Sequence, residues 1–361
     1  MTTSIHPSPP SLSENQGGSS FSTGAPPPPV SQTAYTIAGI SVLVYGLQEL
    51  EPGIQEVTCL WLFHGRTRSR ECMQPVAAYC IHDWNSRKKT QDANAAASRK
   101  LKRGLIAVSF DQRNHGGRIV DPLANEAWMQ GNKSHAQDMF SIYHGTTIDT
   151  SLLLDHLPTY IFPNDDIAIT QDLALGVSLG GHVTWLLLMH EPRISAAVVV
   201  IGCPDYIRLM TDRARRSKRP SYTNHTPPGS EFLGSDDFPK SLIKVVEKWD
   251  SARLLMRPNG IDDELLPPSP AVQKEIIPLL ERRLQNKSAL VLSGAVDQDV
   301  PYATSEPFLK FLKQATNKEN GWWKDGNCEV RDFVFEGVGH NFSKEMVRMS
   351  VDFVSEVIGK A

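Results

Sequence analysis

The chain has 361 residues, enough for one large hydrophobic core or two modest ones. Hydrophobic residues make up 40% and charged residues 21%, and the net charge of -3 gives no electrostatic reason for a nucleic-acid or anionic-membrane partner. The apolar runs are far too short to cross a bilayer, and the five cysteines, odd in number and without CxxC spacing, suit a reducing compartment better than a disulfide framework.

Residues 1–33 are rich in Ser, Pro and Gly and end near the proline run 26–29. Such a segment buries too little apolar surface to offset its ordering entropy, so it is expected to be a disordered tail. It has no apolar core of a secretory signal, and Gly359-Lys360-Ala361 is no retention address, so the cytoplasm is expected by elimination.

From residue 34 onward, strand-like and helix-like stretches alternate. Residues 36–46 (TIAGISVLVYG) read as a short hairpin broken at Gly39, and 57–63 (VTCLWLF) as a buried strand ending at His64-Gly65. Residues 74–84 and 93–102 have helical composition. Residues 105–110 (LIAVSF) form another strand, closed by the polar turn 111–117. A helix is predicted over 141–157, a strand over 173–177, a helix through Met189 and a strand over 196–201. Strands at 289–292 and 330–335 and an amphipathic helix over 345–358 close the chain. Short apolar strands separated by helices predict an α/β domain over 34–361, with a mostly parallel sheet covered on both faces. One segment, about 204–287, is too long for a simple crossover. It holds the basic stretch 213–219, the polar loop 221–237 and helices near 241–255 and 272–284. Its place after a strand's C-terminal end makes a lid the expectation. The basic stretch reads as a solvated helix end, with steering of anionic substrates or nuclear import as the sharper alternatives.

The strongest local signal is Gly176-Val177-Ser178-Leu179-Gly180. A bare G-x-S-x-G arises by chance in roughly one chain in ten of this length, so its setting matters more than its letters. Here a strand precedes it, a helix follows, and Gly181 allows the helix to leave the turn closely packed. A sharp strand-to-helix turn would expose Ser178 at a helix N-terminus, where the dipole favours developing negative charge. A serine hydroxyl needs a base, and His340 in Gly337-Val338-Gly339-His340 is the candidate, being the one histidine of 11 on a glycine-rich turn after the last strand. The orienting acid is sought after the penultimate strand, in Gly294-Ala295-Val296-Asp297-Gln298-Asp299-Val300-Pro301. The order Ser, Asp, His is that of a known hydrolase template. His182 lies on the helix after Ser178 and is expected to pack or to make a surface hydrogen bond. His135 and Asp138 lack metal-ligand spacing, so no metal is expected.

GVSLGG, GAVDQDVP and GVGHNF resemble the nucleophile elbow, acid loop and histidine loop of α/β-hydrolases, a likeness that covers nearly everything after residue 34. Within that superfamily the arrangement resembles microbial esterases, dienelactone hydrolases and prolyl-peptidase-like enzymes. The resemblance implies a serine hydrolase acting on a carboxylic ester, thioester or lactone, carboxylesterase-like, with Ser178, Asp297 and His340 as the triad. The register of the acid loop, with Gly294 before and Val300-Pro301 after, selects Asp297 over Asp299. The backbone N–H of Leu179 is the first expected oxyanion donor. Arg66, after Phe63-His64-Gly65, is the second, with Gly65 or Thr67 as the alternative registers. His64 is expected to buttress that loop, and Asp111 and Arg113 to hold backbone, while Asn114 and His115 border the pocket. The expected partner is a small-molecule acyl substrate, with no cofactor. An acyltransferase or carbon–carbon bond hydrolase on the same fold, or a non-catalytic binding protein, are the rival readings.

Overall fold

A computed structural model describes residues 26–94, 103–256 and 266–360. Most of the expected tail, nearly all of the helix expected over 93–102, and part of the expected lid lie outside these residues. The described chain enters the sheet earlier than residue 34. Ser31 donates from its backbone N–H to Glu49 (2.7 Å), and strand β1 (Gln32–Ile37) begins directly after it. It turns back through Ala38 (φ 49°) and Gly39 (φ 78°) into β2 (Ile40–Tyr45). Two left-handed residues in succession match the twist of a two-residue hairpin.

The remaining strands are β3 (Glu56–Phe63), β4 (Arg103–Phe110), β5 (Ala168–Val177), β6 (Ile194–Val200), β7 (Ser288–Gly294) and β8 (Glu329–Phe335). They form one sheet in the order β1-β2-β4-β3-β5-β6-β7-β8, with antiparallel pairing only on the two sides of β2. Unbroken apolar runs in the central strands follow from burial on both faces. Cys59, Trp61 and Phe63 of β3 join one core cluster, while Leu60 and Leu62 join the cluster on the opposite face.

Helix α1 (Gln74–Asn94) runs unbroken where composition predicts a stop near Trp84. Arg87, on its polar second half, bridges Asp83 (2.6 Å) and Asp352 (2.5 Å) of the last helix. Helix α2 (His135–Ile161) starts a turn and a half before its expected position and buries Ala136, Met139 and Phe140. Helix α3 (Leu179–His190) follows β5 directly. The long segment after β6 holds α4 (Tyr206–Arg216), α5 (Pro220–Thr223), α6 (Lys240–Trp249), α7 (Ser251–Leu255) and α8 (Pro270–Leu284). The single helix expected over 241–255 is therefore two. Asp250 sits between them in extended backbone and caps α7 by accepting from the Arg253 N–H (3.0 Å). Helices α9 (Glu306–Thr316) and α10 (Lys344–Lys360) complete the order.

The inserted segment shares the main core. Phe232, Phe238, Leu242 and Val246 are buried in the same cluster as Trp128, Phe140 and Tyr206. Among the described residues, no helix is long and apolar enough to cross a membrane.

Candidate active site

Strand β5 ends at Val177, and Ser178 takes up φ 56° and ψ -113°, a region that side-chain-bearing residues rarely occupy. The turn closes only because its neighbours lack side chains. A Cβ on Gly176 would lie 2.0 Å from Gly180 O, and one on Gly180 would lie 2.2 Å from Phe63 O. That second contact also shows how tightly the end of β3 is set against the turn. Ser178 N–H donates to Val200 O (2.9 Å), so the strained residue is tied to the sheet on its other side.

The acid and histidine loops are fixed by one another. Ala295 N–H donates to Phe335 O (3.0 Å) and Val296 N–H to Val338 O (3.1 Å). A Cβ on Gly294 would lie 2.4 Å from Val338 O, so the two loops meet backbone to backbone. This contact brings the Asp297 carboxylate, wholly buried as a side chain, to His340: Oδ2 accepts from Nδ1 at 2.8 Å. Asp297 Oδ1 accepts from the backbone N–H groups of Asp299 (2.8 Å) and Val300 (2.9 Å). His340 Nε2 in turn lies 2.7 Å from Ser178 Oγ. Three residues on three strand ends thus form one hydrogen-bonded line. Asp299 contributes backbone to that line and leaves its own carboxylate exposed.

At the end of β3, His64 is fully buried and neutral. Its Nδ1–H donates to Gly65 O (2.8 Å) and its Nε2 accepts from Gln112 N–H (3.1 Å). Burial pushes its pKa down to about 4. His64 therefore buttresses the loop that carries Arg66. Neither the Arg66 nor the Leu179 backbone N–H donates to another described residue. The Arg66 side chain reaches Asn125 O (2.9 Å).

The loop after β4 is built as a brace. Asp111 accepts from Arg70 N–H (2.9 Å) and Gly117 N–H (2.9 Å), and Arg113 grips Asp149 with Nε (3.1 Å) and Nη2 (2.7 Å). Asn114 holds the backbone of Val120 and Asp121 (2.9 Å each), so it shapes the loop instead of presenting a free amide. His115 is buried against His64, their ring centres 5.6 Å apart. His182, expected to pack or to bond at the surface, is buried; its Nδ1 meets the Cys203 backbone and burial lowers its pKa to about 3.

The basic stretch departs from a solvated helix end. Arg215 and Arg216 pair with Asp212 (2.7 and 2.6 Å), and Arg219 forks onto Asp237. Arg213 turns inward. Its Nη1 contacts His135 Nε2 (3.0 Å) and Met139 Sδ (2.9 Å), and its Nη2 donates to Asp299 O (3.1 Å), next to the acid loop. Burial, with the charge of Arg66 second, lowers its pKa to about 10, so it stays a cation at neutral pH. Helical spacing held the signal: Tyr206, Met210 and Arg213 stand four and three apart, on one face. Among the described residues, no cluster of His, Cys, Asp and Glu side chains is arranged to hold a metal.

No family model and no curated protein matches the sequence. Solved structures do. A crystal structure of a protein from Thermus thermophilus aligns with a TM-score of 0.53 at 17% identity, over 91% of this chain and 98% of its own. Est1E from Butyrivibrio proteoclasticus aligns at 0.44 and 14% identity, over 91% and 98% of the two chains. The acylaminoacyl peptidase of Pyrococcus horikoshii aligns at 0.47 and 11% identity, over 91% of this chain but 41% of its own. With the strand order above, the chain has the α/β-hydrolase fold.

Proposed function

We propose that the chain is a serine hydrolase that cleaves a carboxylic ester, or a related thioester or lactone, through an acyl-enzyme on Ser178. The observation that carries this reading is the unbroken line from Ser178 Oγ to His340 (2.7 Å) and from His340 to the buried Asp297 (2.8 Å). His340 Nε2 takes the hydroxyl proton as Ser178 Oγ attacks the acyl carbon. It then returns that proton to the leaving oxygen, and the same exchange through water releases the acid. Asp297 holds the Nδ1–H tautomer and stabilises the imidazolium. The N–H groups of Leu179 and Arg66 face the developing oxyanion, each contributing about 3 to 4 kcal/mol in the transition state. The inserted segment borders this site as a lid, tied to the acid loop by Arg213 to Asp299 O.

The test is fluorophosphonate labelling, combined with turnover of p-nitrophenyl esters of graded chain length. Wild type is expected to label once per chain and to release nitrophenol, and Ser178→Ala to do neither while keeping its melting temperature. Labelling retained in the alanine variant overturns the assignment. Product analysis with an added alcohol separates hydrolysis from acyl transfer.

A further inference from the structure

We propose that this site selects acyl substrates that carry a carboxylate on the acyl chain, and that Arg213, with Arg66 beside it, binds that carboxylate. The inference rests on the hydrolase reading above and names its substrate class.

The argument begins with how this chain uses its arginines. A guanidinium presents Nε–H and one Nη2–H side by side, the edge that matches a carboxylate. Arg113 fills that edge with Asp149 (3.1 and 2.7 Å). Arg193 fills it with Glu191 (2.7 and 2.9 Å), and Arg219 with Asp237 (3.0 and 2.7 Å). Arg213 is equally well held, but by neutral groups. His135 Nε2 and Met139 Sδ take Nη1, and Asp299 O takes one Nη2–H. Its Nε–H and second Nη2–H have no partner among the described residues, and no carboxylate there lies within ion-pair distance of it.

His135 reinforces the point. Its Nδ1 is committed to Glu126 O (2.9 Å), which leaves Nε2 as a lone-pair acceptor for Arg213. Burial and the two arginines push its pKa down to about 2. The ring therefore positions the guanidinium without neutralising it. Arg66 adds a second cation with a carbonyl, Asn125 O, as its side-chain partner. Asp212, next to Arg213 in the chain, is taken by Arg215 and Arg216, and Asp299 offers Arg213 its carbonyl while its own carboxylate is exposed.

Placement ties the pair to the reaction. Arg66 follows the β3 end that abuts the Ser178 turn, and Arg213 touches the loop whose Asp297 orients His340. Two neighbouring cations without an ion-pair partner among the described residues, one on the loop after the β3 end that abuts the Ser178 turn and one touching the acid loop, match an anion that arrives with the substrate. In a half-buried setting a charge-assisted pair of this kind changes binding by about ten- to a hundredfold.

The test compares mono-p-nitrophenyl adipate with p-nitrophenyl hexanoate, which have acyl chains of equal length and differ in the terminal carboxylate. Wild type is expected to favour the adipate in kcat/KM, with a KM that rises with added salt for the adipate alone. Arg213→Gln is expected to lower the adipate-to-hexanoate ratio about ten- to a hundredfold, mainly through KM. Arg213→Lys, which keeps the charge without the fork, is expected to restore part of it and covers the case in which the glutamine variant folds poorly. A wild type that favours the hexanoate, or a ratio unmoved in both variants, overturns the inference and leaves Arg213 as a clamp between α4 and the acid loop. Loss of fluorophosphonate labelling and of turnover on both esters in wild type overturns the hydrolase reading instead.

Discussion

Asp297 has both carboxylate oxygens engaged, one by His340 and the other by two backbone N–H groups. An asparagine in its place keeps the backbone bonds through Oδ1 and turns its NH2 toward Nδ1. The ring must then carry its proton on Nε2, facing Ser178, where it no longer accepts one. Asp297→Asn is therefore expected to lower kcat by about 10³- to 10⁴-fold, with little change in melting temperature. Asp299 serves the loop through its backbone N–H and O, which any residue supplies, so Asp299→Asn is expected to cost about tenfold or less. Kinetics of the two variants on one p-nitrophenyl ester check the ordering, and the reverse order moves the orienting acid to Asp299. The sites of Ser178, Asp297 and His340 were legible because each lies where a strand gives way to a turn, and turns of that kind demand glycine or proline at fixed offsets. The role proposed for Arg213 was not legible. Five basic residues close together read as a charge run, and what separates them is their partners: Asp212 on the same helix, and Asp237 and a loop carbonyl on other parts of the fold.

Elements announce themselves through apolar runs, and the strands of this sheet were legible for that reason. Helix ends were harder, because ion pairs extend α1 through polar sequence and one capping aspartate divides α6 from α7. The pairing of β3 with β5 contains a feature that periodicity does not reveal. Asp172 lies buried on β5, accepting from the indole N–H of Trp61 on β3 (2.9 Å). Burial raises its pKa to about 6, the hydrogen bond notwithstanding. The folded state thus binds that proton more tightly than the unfolded chain does. Stability from this group is fully present below about pH 4 and is lost as pH rises to about 6. An asparagine at this position would carry no such dependence. The stability of Asp172→Asn relative to wild type is expected to improve by about 1–3 kcal/mol between pH 4 and pH 7. Urea denaturation at the two pH values measures it, and a difference that stays constant removes the assignment.

At the scale of the molecule, the inserted segment is a participant in the core. Phe232 is wholly buried beside Trp128 (ring centres 6.2 Å apart) and Phe238 (5.6 Å). Phe232→Ala is expected to cost about 3–5 kcal/mol, read as a lower midpoint in urea, where a detached flap would leave the midpoint unmoved. The sequence revealed the length of this insertion, whereas its attachment depends on aromatic residues whose partners lie on α2 and the loop before it.

The histidine loop and the nucleophile turn touch across 162 positions of chain, and the acid loop that aligns them is itself pinned to the histidine loop. Contacts this remote in sequence close late, after local helices and hairpins have formed. On the proposed mechanism, reactivity at Ser178 is therefore a sensor of the last stage of assembly. On dilution from urea, helical ellipticity is expected to recover first, and fluorophosphonate reactivity at Ser178 only when β7 and β8 have docked. A stalled intermediate would thus be folded by spectroscopy and silent by chemistry, with the hydroxyl in place and its base not yet delivered.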